Sequence, residues 1–141
     1  MLLDEIAQLI TDNSTNRTLG SNLFKGSKQT KIGAPDTATF LHETQGLTPE
    51  FLFGSSTPWR ENPGVQIINR SSDYQTARNA AELQYKILIG QTNATLKPSS
   101  SATGVLYYTI NAQQAPFSIG QDDNAREQIS CNFLVEKVLS T

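Results

Sequence analysis

The stretch from Val65 to Gly90 constrains the fold more than any other part of the chain. Val65-Gln66-Ile67-Ile68-Asn69-Arg70 is short and rich in β-branched residues, which predicts a strand. Ser72-Asp73-Tyr74-Gln75 follows at once, with serine at a helix N-cap position and glutamine three residues on, the spacing of a capping box. The helix so opened runs over about 72–89, and Gly90 suits the position just past its end. Its inner face carries Tyr74, Ala77, Ala81 and Leu88, with part of Ala80 and Ile87. The small residues at 77, 80 and 81 let such a helix approach a sheet closely. A strand that feeds straight into a helix with one apolar stripe must pack that stripe on the sheet it has just left.

Other periodic segments extend the unit. Residues 128–138 read as a final strand, with Ile129, Cys131, Phe133 and Val135 alternating inward. Residues 104–110 read as another, with Val105, Tyr107 and Thr109 on one face and Leu106, Tyr108 and Ile110 on the other. Leu2, Leu3, Ile6, Leu9 and Ile10 fall at helical spacing, so residues 2–12 form a short amphipathic helix with Asp4, Glu5 and Gln8 off its apolar face. Leu23-Phe24 and Thr39-Phe40-Leu41-His42 look like short strands, and Phe51-Leu52-Phe53 is a further apolar cluster. Thr57 to Gly64 is loop chemistry, because Pro58 and Pro63 interrupt helix and ladder bonding alike. Gln91–Ser101 reads as a polar connection. Pro116–Gly120 leads into a turn around Asp122-Asp123-Asn124. Helix, strands, helix and two strands make an α+β domain over 1–141, a mostly antiparallel sheet flanked by two main helices. With 141 residues and no repeat or internal boundary, one domain is expected.

Composition narrows the function classes. Serine, threonine, asparagine and glutamine make up about a third of the chain, while charged residues are 17%, against about 25% in typical soluble domains. The polar surface is therefore built mainly from amides and hydroxyls. A net charge of −2 gives no global field for nucleic acid or an anionic membrane. Val105-Leu106-Tyr107-Tyr108 is the longest purely apolar run, far short of the ~20 residues that span a bilayer. The early acids of Met1-Leu2-Leu3-Asp4-Glu5 do not resemble a secretory signal, so a cytosolic chain, or one assembled from cytosolic parts, is expected. The single cysteine, Cys131, excludes an internal disulfide.

The chemistry-bearing residues point away from catalysis. His42-Glu43 begins like a zinc helix, but position 46 is Gly46 rather than the second histidine. No Gly-x-Ser-x-Gly elbow accompanies His42, so a small His42-dependent hydrolase is the weaker alternative. Gly20, Gly26 and Gly33 lack the Gly-Lys-Ser/Thr of a phosphate loop and read as turn glycines. Cys131 alternates with core positions and reads as a buried, inert thiol. Asp122 and Asp123 lack the calcium-loop pattern and read as an acidic turn. Lys25, Lys28 and Lys31 form the one local basic stretch, either a solvated loop or a contact for an acidic neighbour or a phosphate backbone. Phe51, Phe53 and Trp59, with Arg60, form either a small satellite core or a patch for a partner, being residue types enriched at interface centres. No metal or cofactor is expected.

Two segments carry a family likeness. Gln66-Ile67-Ile68-Asn69-Arg70-Ser71-Ser72-Asp73-Tyr74-Gln75-Thr76-Ala77-Arg78-Asn79-Ala80-Ala81, continuing to Ile87-Leu88-Ile89-Gly90, is one. Pro116-Phe117-Ser118-Ile119-Gly120-Gln121-Asp122-Asp123, followed by Arg126 and Ile129-Ser130-Cys131-Asn132-Phe133-Leu134-Val135, is the other. In order and spacing they resemble the minor capsid and tail-terminator proteins of tailed bacteriophages. The likeness covers most of the chain, and residues 19–62 share only its general character. It implies an α+β fold with a sheet flanked by two main helices, and a structural role in the virion neck without catalysis. A tail terminator would form a homo-oligomeric, hexameric ring that caps the tail tube and joins the head–tail connector. Genomic DNA would pass through its lumen without sequence-specific binding, and no membrane would be involved. A head-completion protein is the alternative station. The resemblance implies a virion location after assembly in the host cytoplasm. Under it, the interface residues expected are Phe51, Phe53, Trp59 and Arg60, then Lys25, Lys28 and Lys31, and then Asp122 and Asp123, cross-pairing with a basic residue of the next subunit, with Arg126 nearby.

Overall fold

The apolar alternation of the C-terminal strand places it in the middle of the sheet. The computed structural model describes residues 2–13, 16–26, 35–51 and 58–138. In chain order the elements are α1 (Leu2–Asn13), β1 (Leu23–Lys25), β2 (Ala38–Phe51), β3 (Pro58–Ser71), α2 (Tyr74–Ile89), β4 (Thr92–Leu96), β5 (Val105–Ala112), β6 (Phe117–Gln121) and β7 (Glu127–Val138). The strands bond in the order β1-β2-β3-β7-β5-β4, and β6 lies beside β7. Among the named strands, only β1 and β2 pair in parallel. The fold is α+β, as the periodicities predict.

Cross-strand pairs share a face of a sheet, so the register assigns both faces. Thr39, Asn69 and Ile129 lie in one row, as do Leu41, Ile67 and Cys131, and Val65 with Phe133. These residues face the helices. Ile6, Ala7 and Ile10 of α1 and Leu88 of α2 pack with them into the main core. Each such aliphatic side chain contributes about 1.5–3 kcal/mol by leaving water. Ala77 and Ala81 close on Ile129 in a separate cluster, the close approach that the small residues of α2 allow. The opposite face carries Phe24, Phe40, Ile68 and Ser130 in one row, and His42, Gln66 and Asn132 in the next.

Several expectations are corrected. The segment 58–64 is not a loop: β3 starts at Pro58 and continues to Ser71. The two prolines are accommodated because Pro58 begins the strand and the ladder to β7 skips Asn62 and Pro63, passing from Glu61↔Lys137 to Gly64↔Leu134. Its partner β2 extends from Ala38 to Phe51, with register shifts after Thr44 and Leu47. Gly46 permits that irregularity, since a Cβ there would lie 1.9 Å from the Asn62 carbonyl oxygen. The connection after α2 contains β4, and residues 117–121 form β6 rather than a lead-in to a turn. Both are edge strands with little burial, so neither carries an apolar alternation.

The caps of α2 also differ. Asp73, not Ser72, is the N-cap: its carboxylate accepts from the Thr76 backbone N–H at 3.0 Å and from the Thr76 hydroxyl at 2.7 Å. Gln75 instead donates to Asn79. Gly90 ends the helix in the right-handed region, at φ −82, so its left-handed freedom is not used. Tyr74 is 46% exposed rather than inward, because the whole first turn from Asp73 to Thr76 faces solvent. On β5, Tyr107 and Ile110 are both buried although alternation assigns them opposite faces. A register shift between Tyr107 and Thr109 inserts one extra residue and flips the pattern.

Candidate functional site

The acidic turn after β6 is built by Asp122. Its carboxylate accepts from the backbone N–H groups of Asn124 and Arg126, each at 3.0 Å. The Arg126 guanidinium closes the turn on the same carboxylate at 2.7 Å and reaches Asp36 at 3.4 Å. Burial opposes the Asp122 charge, but the Arg126 and Asn124 backbone N–H groups and the Arg126 guanidinium outweigh it and hold the carboxyl below its ordinary range. Ala125, at φ 58, completes the turn. Asp122 and Arg126 thus pair within one chain, which leaves Asp123 as the exposed acid of the turn.

The other predicted site residues are scattered. Lys25 pairs with Asp4 of α1 on the helix-bearing face, while Lys28 and Lys31 lie outside the described residues. Arg60 sits 3.5 Å from Glu136, and its guanidinium carbon lies 5.7 Å from the Tyr108 ring centroid. Phe51 and Trp59 come together in the backbone, because Phe51 pairs with Pro58 at the far end of the β2–β3 hairpin. Their side chains, and Phe53 as a whole, lie outside the described residues. His42 lies opposite Gln66 on the helix-free face, where burial lowers its pKa and keeps the ring neutral near pH 7. The Cys131 thiol is buried, donates to the Gln114 carbonyl at 3.3 Å, and is pushed up to about 11 by burial, so it stays protonated. Among the described residues, no cluster of His, Cys, Asp and Glu could hold a metal ion.

Two buried polar clusters escape sequence inspection. In the first, the Arg17 Nε donates to Thr39 Oγ1 at 2.7 Å, and that hydroxyl donates to Asn69 Oδ1 at 2.6 Å. Asn69 Nδ2 donates to Gln84 Oε1 at 2.7 Å, and Gln84 Nε2 donates back to Thr39 at 3.1 Å. The network ties α2 to β2, β3 and the segment after α1. In the second, Glu5 of α1 accepts from the Tyr107 hydroxyl at 2.5 Å and lies 3.4 Å from Lys137 Nζ, which is 3.3 Å from Glu61. Burial and the neighbouring Glu5 carboxylate hold the Tyr107 phenol protonated well above its ordinary range. A cavity of about 350 Å³ between α1 and β4 is lined by Glu5, and one of about 290 Å³ by Lys137 and Glu61. These clusters fasten the helices to the sheet.

The middle of the helix-free face and the β6 edge are poor in charge. The middle of the helix-free face presents His42, Thr44, Gln66, Asn132 and Asn111, all partly or fully exposed. At one end of the sheet, β6 is exposed at all five residues, with Phe117 at 40% and Ile119 at 45%. Such an arrangement can hydrogen-bond and exclude water at a contact without desolvating ions. No protein-family model matches the chain, and no curated protein matches it.

Proposed function

We propose that the chain is a structural protein of the tailed-phage neck, a tail terminator. Six copies form a ring that caps the tail tube, joins the head–tail connector, and lets the genome pass through its lumen. The reading starts from the likeness in segments 66–90 and 116–135. The observation that carries it furthest is the architecture: one sheet with both helices on a single face, the middle of its other face and its outer edge left to amides, hydroxyls and a few apolar side chains, and the Arg60–Glu136 pair toward one end. Surfaces depleted in charge suit burial against neighbouring subunits. A ring of chains that each carry net charge −2 is weakly repellent to DNA, which suits a conduit, because tight phosphate binding would stall passage. The protein acts without catalysis, cofactor or membrane, is assembled in the host cytoplasm, and resides in the virion.

Electron microscopy of the purified protein tests this reading. Sixfold rings, with a mass six times the 15.4 kDa of one chain, are the expected result. A particle that stays monomeric at every concentration and is absent from purified virions overturns it. Density on the portal side of the neck, away from the tail tube, would reassign the chain to head completion.

A further inference from the structure

The sheet ends in two open edges on the same side. Among the named strands, β4 bonds only to β5 and β6 only to β7. β5 flanks the C-terminal half of β7 and β6 the N-terminal half, so β6 lies one strand further in than β4. The space outside β6 is a notch one strand wide. Neither edge holds a charge: β4 reads Thr92-Asn93-Ala94-Thr95-Leu96 and β6 reads Phe117-Ser118-Ile119-Gly120-Gln121. Natural sheets usually guard open edges with lysine or other inward charges. Here the charges beside β6 are engaged: Asp122 with Arg126, Glu127 with the Gln121 amide, and Arg78 with Glu82 and the Pro116 carbonyl. Exposed apolar side chains gather beside the edge instead. Phe117 and Ile119, 40% and 45% exposed, stand on the edge strand itself, and Arg78 of α2 donates to the Pro116 carbonyl at 2.8 Å just before it.

We propose that β6 of one copy pairs with β4 of a second copy, continuing the sheet across the subunit boundary. A partner selected by charge finds nothing to recognise on β6. A strand selected by backbone bonding and apolar contact does, and the chain itself supplies a second uncharged open edge of the same length, five residues. Because β6 and β4 are different surfaces, the contact is heterologous and propagates head to tail, the arrangement that gives a ring where the rotation between copies closes. The proposal rests on the ring reading and deepens it by naming the contact.

Sedimentation velocity of the full chain tests it, with Ile119→Lys, Thr95→Lys, and the double variant Ile119→Lys/Thr95→Glu. Both positions are exposed, so folding, followed by circular dichroism, stays as in wild type. Each lysine is expected to raise the concentration for half-assembly at least about tenfold, because a contact then buries an unpaired charge. The double variant, with opposite charges on the facing edges, is expected to regain rings. As a second readout, copies carrying Ile119→Cys mixed with copies carrying Thr95→Cys form a covalent dimer on oxidation, while the buried Cys131 does not take part. Wild-type rings that persist in both lysine variants and give no mixed dimer overturn the edge pairing and leave the ring reading standing. A wild-type protein that never forms rings overturns both.

Discussion

Replacing Lys137 with methionine tests how α1 is held to the sheet. Lys137 is 2% exposed, with its ammonium 3.4 Å from Glu5 Oε1 and 3.3 Å from Glu61 Oε1. In an effective dielectric of about 20, charges 3.4 Å apart attract by about 5 kcal/mol. Removing each ion from water costs several kcal/mol, so the intact pair is close to break-even. The loss of one member is not. Glu61 is 29% exposed and can turn to water, whereas Glu5, at 1%, would keep a buried carboxylate without its ammonium. Lys137→Met should therefore cost about 3–5 kcal/mol, and Glu61→Gln at most about 1 kcal/mol. Adding Glu5→Gln to Lys137→Met should recover at least about 1 kcal/mol relative to the sum of the single changes, because the stranded charge is gone while an acceptor for Tyr107 remains. Urea unfolding followed by fluorescence measures each value. A Lys137→Met variant within about 1 kcal/mol of wild type, or strict additivity in the double variant, would refute the reasoning.

Other outcomes follow from the same geometry. Asp73→Ala should cost about 1 kcal/mol by removing the N-cap of α2, while Ser72→Ala should be nearly neutral, measured by thermal unfolding. Gln84→Leu should destabilise by about 1–3 kcal/mol, since it strands Asn69 and Thr39 in the core; a neutral result would remove the network from the account. Asp122 is held below the ordinary carboxylate range, so its contribution is full above its unfolded pKa of about 3.9 and is lost as pH falls through the lower folded value. Asp122→Asn should therefore flatten the acid limb of a stability–pH profile. Trp59→Ala should weaken ring or tail joining while leaving the melting temperature unchanged, and unimpaired joining would discard the hairpin end as a contact.

Strong local patterns were legible, and long-range pairings were not. The alternation of Ile129, Cys131, Phe133 and Val135 locates β7, and the Ala77–Ala81–Leu88 stripe locates α2, because one buried face writes a regular period into each. β4 and β6 write none, since edge strands rich in threonine, serine and asparagine bury almost nothing. Pro63 reads as a breaker until a gap in the β3–β7 ladder accommodates it. The Asp122–Arg126 pair spans only four residues, yet sequence alone does not say whether the turn's acids close on it or on another chain. The Glu5–Tyr107 bond spans 102 positions, and Glu5 looks like an ordinary helix-opening acid. Gln84 shows the same limit: it falls on the inner stripe of α2 but is polar, and its partners Thr39 and Asn69 come from two different strands.

The central claim concerns place, and place can be imaged. Gold labelling of a C-terminally tagged copy of this chain in virions, viewed by electron microscopy, should put the label at the junction of head and tail. The tag should leave the virions infectious. Label on the capsid shell or the tail tip, or none on purified virions, would contradict the assignment.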